Sequence, residues 1–129
     1  MQTYNGACHC GHIQFEVDLE LDHVRVCDCS ICRKRGALNF RVEESQLRVL
    51  TPVSDMTLYQ WHTATAKDYF CPICGILPFR RPRTAPELWT INIRCLDDVN
   101  LDEIPVKKFL AVSLIRNFSS RHRIIFRSN

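Results

Sequence analysis

The chain has 129 residues, 46% of them hydrophobic, and a formal net charge of +3. That length suits one domain burying roughly two-thirds of its unfolded surface and is too short for two ordinary ones, so a single unit over 1–129 is expected. No apolar run approaches the roughly 18 residues of a membrane span, and "MQTYNGACHCG" is polar where a signal peptide turns apolar, so a cytoplasmic protein without a membrane partner is expected.

In chain order, "CHCG" at 8–11 predicts a turn ending in glycine, and "HIQFEVD" predicts a strand from the alternation of Ile13, Phe15 and Val17. A short strand at 24–26 leads into "VCDCSICRKRG", where Ser30 as N-cap, "ICRKR" and Gly36 predict a helix of one or two turns. "ALNFRVE" alternates Leu38, Phe40 and Val42, and strands are expected at 46–50, 56–62 and 68–70, with "TPVSD" and "RRPRTAPE" as turns. "LWTINIRC" alternates Trp89, Ile91, Ile93 and Cys95, which predicts a strand through 95 with Asn92 and Arg94 on the opposite face. A last strand is expected at 124–127, within a basic stretch at 116–127. The class is mainly β with one short helix.

The eight cysteines carry the chemistry. In a reducing compartment thiols are kept reduced, which favours metal ligands or nucleophiles over disulfides. Seven of the eight fall in tight clusters: Cys8 with Cys10, Cys27 with Cys29 and Cys32, and Cys71 with Cys74. Such spacings bring two sulfurs to one ion, and tetrahedral zinc takes ligands from separate segments. "CPICG" at 71–75 is a knuckle turn whose glycine allows a positive φ, and "CHCG" resembles it, so the two read as halves of one closed four-cysteine site. Cys27, Cys29 and Cys32 then hold a second zinc with a position left open, and an open position suggests an enzyme. Two zinc ions per chain are expected. Arg33, Lys34 and Arg35 follow at once and favour thiolates nearby.

"GACHCG" at 6–11, "CDCSICRKRG" at 27–36, "YFCPICG" at 69–75 and "INIRCLDD" at 91–98 resemble, in order and spacing, the glutathione-dependent formaldehyde-activating enzyme family, which includes centromere protein V. The likeness runs from about Tyr4 to Phe109. It implies an Mss4-like fold of small antiparallel sheets around zinc, and carbon–sulfur lyase activity on a glutathione adduct. It also implies a structural zinc on Cys8, Cys10, Cys71 and Cys74 and a catalytic one on Cys27, Cys29 and Cys32.

The natural fourth ligand at a three-thiolate zinc is a substrate sulfur, so the expected partner is a small thiol adduct such as S-hydroxymethylglutathione. Its carboxylates need cations, with Arg33, Arg35, Arg80, Arg81 and Arg94 as candidates and Asn92 beside Arg94. His9, His12 and His62 are weaker candidates for moving a proton, and Asp28 for orienting a ligand. The alternative is a non-catalytic zinc scaffold, which Cys95 creates if it closes the triple cluster. The tail "RNFSSRHRIIFR" is basic and aromatic, but the modest net charge makes nucleic acid an unexpected partner, and Asn117-Phe118-Ser119 is an idle glycosylation pattern without a secretory signal.

Overall fold

A computed structural model of the chain describes residues 1–109. The strand expected at 124–127, the basic stretch at 116–127 and the Asn117 pattern lie outside the described residues. β1 (Gln2–Ala7), β2 (Gln14–Leu19) and β5 (Leu47–Val49) form a three-stranded antiparallel sheet in the order β1-β2-β5. The remaining strands are β3 (Val24–Cys27), β4 (Asn39–Val42), β6 (Thr57–Tyr59), β7 (Lys67–Phe70), β8 (Phe79–Arg81), β9 (Trp89–Asn92) and β10 (Val106–Phe109). They make a seven-stranded sheet in the order β10-β3-β4-β9-β8-β7-β6, antiparallel except where β10 runs parallel to β3. α1 (Ser30–Arg35) follows β3 directly.

β2 shows how alternation builds the core. Phe15, Val17 and Leu19 are buried while Gln14, Glu16 and Asp18 face outward, as period two requires of a strand with one wet face. Phe15 then meets Phe79 of β8 edge to face at 5.5 Å, and Phe79 meets Trp89 of β9 at 5.4 Å. The first contact joins the two sheets and the second continues the cluster within the larger one, each worth about 0.5–1.5 kcal/mol beyond its buried area.

Glycine is required at one point in this packing. Gly6 pairs across β1 and β2 with Phe15, whose ring lies over it, and a Cβ at Gly6 overlaps that ring. Gly6→Ala is therefore expected to cost about 1–3 kcal/mol through displacement of Phe15. A thermal melt followed by circular dichroism reads it, and an unchanged midpoint would show that the ring moves aside freely.

β9 departs from expectation. The strand predicted through 95 ends at Asn92, and Ile93–Cys95 form a 3₁₀ turn. The cause is local: the Asn92 side-chain oxygen accepts the Arg94 backbone N–H at 3.2 Å, which competes with the strand ladder. All four β9 residues are buried because the strand lies inside the sheet with both faces covered. β1, β8 and β10 were not predicted at all, and "TPVSD" contains a 3₁₀ turn at Val53–Asp55.

Candidate metal centres

Two hairpin turns meet to form the first cluster. Cys8 and Cys10 lie in the turn between β1 and β2, and Cys71 and Cys74 in the turn between β7 and β8, so each sheet contributes one pair. The turns share one design. The Cys8 N–H donates to Ile13 O at 3.0 Å and the Gly11 N–H to Cys8 O at 3.2 Å; the Cys71 N–H donates to Ile76 O and the Gly75 N–H to Cys71 O, both at 2.9 Å. Gly11 and Gly75 hold φ of 83° and 80°, in the region that favours glycine.

The geometry fits a thiophilic ion. All four sulfurs lie within 4.8 Å of one another, with Cys8 to Cys10 at 3.7 Å and Cys10 to Cys71 at 3.6 Å. Tetrahedral zinc with bonds of about 2.3 Å needs sulfurs roughly 3.8 Å apart. Backbone amides already serve the sulfurs: Ile13 N–H points at Cys8 Sγ at 3.2 Å, and Ile73 and Cys74 N–H at Cys71 Sγ at 3.3 and 3.4 Å. The Ile76 amide above all brings the Cys74 thiol down to about 6.

The second cluster sits at the junction of β3 and α1. Cys27 ends β3, Cys29 occupies the N-cap position and Cys32 is buried in the helix, with the three sulfurs within 4.8 Å of one another. The N-cap is thus Cys29 and not Ser30, whose buried hydroxyl finds no hydrogen-bond partner among the described residues. No side-chain hydrogen bond closes this cap. Gly36 stops the helix as predicted, at φ 70° with its N–H on Cys32 O. The Cys27 and Cys32 thiols, helped by the Cys32 and Ile31 amides, hold the Cys29 thiol far below its ordinary value.

No fourth His, Cys, Asp or Glu joins these three among the described residues. Cys95 is half-buried beside the other cluster: burial first, then Cys8 and Cys74, push its thiol up to about 12. The route by which Cys95 closes the triple cluster into a scaffold site is therefore absent from this fold.

The basic residues divide. Arg35 on α1 and Arg80 on β8 both grip Asp68 of β7: Arg80 Nε donates to Oδ1 at 2.6 Å and Arg35 Nη2 to Oδ2 at 3.1 Å. Arg33 is exposed on the helix. Arg94 is exposed in the 3₁₀ turn and donates from Nε to Gly36 O at 3.3 Å, which ties it to the end of α1. Asn92 is buried, and its amide donates to Leu77 O at 3.0 Å while its oxygen serves the Arg94 N–H. Both ends of that side chain are bonded to the main chain, and the strand face that Asn92 and Arg94 were to share does not exist. Arg81 lies elsewhere, paired with Glu44 at 2.6 Å and stacked 3.6 Å over Trp89. His12 Nε2 bonds Asp55 O at 3.1 Å. Sequence reasoning missed Asp68, which stands beside Lys67 at the start of β7 and carries no sequence signal of its burial.

Two cysteine clusters set into small, mostly antiparallel sheets define a mainly β protein with an Mss4-like fold. A family model for the glutathione-dependent formaldehyde-activating enzyme matches residues 3–110, and the chain belongs to that family. The crystal structure of a Rhodobacter sphaeroides protein is 41% identical, matches 80% of this chain and 99% of its own, and superposes with a TM-score of 0.72. Membership implies chemistry on glutathione adducts as the general activity. Among the described residues no helix is long and apolar enough to cross a membrane.

Proposed function

We propose that the chain is a single zinc-binding catalytic domain over 1–129, a carbon–sulfur lyase acting on S-hydroxymethylglutathione or a related thiol adduct. The observation that supports this reading is the convergence of three sulfurs without a fourth protein ligand. Cys27, Cys29 and Cys32 hold one zinc, and Cys8, Cys10, Cys71 and Cys74 the other. Zinc on three thiolates supplies a place where a fourth thiolate is stabilised near neutral pH.

In the synthetic direction the glutathione sulfur attacks a small carbonyl, a carbon–sulfur bond forms and the carbonyl oxygen takes up a proton. The reverse breaks that bond, returns its electron pair to sulfur and releases the proton. The protein's share is positioning. Arg33 and Arg94 lie on or against α1, where they receive the carboxylates of the adduct, whereas Arg35, expected beside them, is turned inward to Asp68. Asn92 sets the turn that carries Arg94. Eight unpaired cysteines suit a reducing compartment such as the cytoplasm.

Elemental analysis of protein prepared without chelator is expected to give two zinc ions per chain, one lost quickly to a competing chelator and one slowly. One zinc only would mean that the triple cluster is not permanently filled. The substrate is tested with cobalt in place of zinc, because its visible thiolate band responds to a new sulfur ligand. Reduced glutathione is expected to change that band and oxidised glutathione, which has no thiolate, to leave it alone. No change with the reduced form sinks glutathione as the substrate thiol.

A further inference from the structure

The Arg35–Asp68–Arg80 group is among the most deeply buried charges described. Asp68 has no exposed surface, and the side chains of Arg35 and Arg80 are 19% and 12% exposed. Two guanidiniums and one carboxylate leave a charge of 2 − 1 = +1, which is costly inside a protein unless an anion lies near. The cysteines provide one. Cys32 and Arg35 stand at i and i+3 on α1 and so share a face. Arg80 binds the other oxygen of the same Asp68 carboxylate, so its charge belongs to the same buried group. Three thiolates around one divalent ion carry 2 − 3 = −1, the complement of that +1.

We propose that Arg35 and Arg80, held together by Asp68, form a buried cation that offsets the negative charge of a metal-bound Cys27–Cys29–Cys32 cluster and so strengthens its hold on the ion. These are positioning residues acting through the ligands. Asp68 fixes both guanidiniums and stops them from turning outward to water, and its own charge leaves one positive unit over for the cluster. The inference rests on the triple cluster being a metal site, and not on which thiol is the substrate.

The test measures zinc affinity at the triple cluster of the full chain by titration with a competing chelator, without substrate. Arg80→Gln and Arg35→Gln each take the group from +1 to zero while leaving Asp68 one guanidinium partner. Each is expected to weaken zinc there by about tenfold or more, the usual scale for residues that support metal ligands. The zinc at the four-cysteine cluster should be unaffected, and Arg80→Lys should recover most of the loss because it restores the charge. If Arg80→Gln does not fold, Arg35→Gln decides. A folded glutamine variant with wild-type affinity overturns the proposal, and so does an Arg80→Lys no better than Arg80→Gln. A wild-type chain that binds no second zinc overturns the metal reading instead.

Discussion

Cys71→Ser is expected to yield a protein that does not hold its fold at ordinary temperature. Cys71 is fully buried, lies 3.6 Å from Cys10 and accepts two backbone N–H groups, so its sulfur organises the turn as well as the metal. Metal-coupled folding at structural zinc sites is worth about 10–16 kcal/mol, and a domain of this size is stable by only about 5–15 kcal/mol. Loss of even a third of the metal contribution removes much of the margin. The two sheets are also pinned by Phe15 against Phe79, so partial structure can survive, but the cooperative transition should broaden or vanish. Far-ultraviolet circular dichroism and a chelator-dependent melt measure this, and a native-like melting curve would show that the cluster is dispensable to the fold.

Cys29→Ser, by contrast, should remain folded and lose turnover. Its position explains why: Cys29 is the N-cap of α1, where serine is among the favoured residues, so the substitution keeps or improves the helix start. What it removes is the sulfur most readily ionised of the three. Loss of adduct turnover to background, of the labile zinc and of the cobalt response to glutathione is expected together, with the melting midpoint little changed. If Cys29→Ser unfolds as badly as Cys71→Ser, the triple cluster is structural and the lyase reading falls.

The thiol partition was legible in the sequence because C-x-C and C-x₂-C place sulfurs by local geometry alone, and the fold only had to bring two turns together. β2 was legible because one of its faces is wet. β9 misled because both its faces are covered, so period two could not mark where it stopped, and the residue that stops it acts through a side-chain hydrogen bond. β1 and β10 pair through the main chain while most of their side chains face water: Gln2, Thr3 and Asn5 in one, Val106, Lys107 and Lys108 in the other. A strand of that kind carries no alternation to find. Asp68 was invisible for another reason, since its meaning depends on Arg35 and Arg80 arriving from 33 residues earlier and 12 later.

The approach of Cys10 to Cys71 joins positions 61 residues apart at 3.6 Å. A metal ion held there is a cross-link that closes a ring of about that size, and the chain-entropy account of such rings gives roughly 4 kcal/mol, gained by restricting the unfolded chain. A disulfide fixes its ring permanently, whereas this one opens whenever acid or a chelator takes the ion. With an ion bound there the chain would have two different denatured states, a looped one that still grips metal through its thiols and a linear one that does not. Unfolding measured with and without chelator starts from the same fold and ends in different places, and the difference between the two free energies includes the freedom of the opened ring as well as the strength of four metal–sulfur bonds.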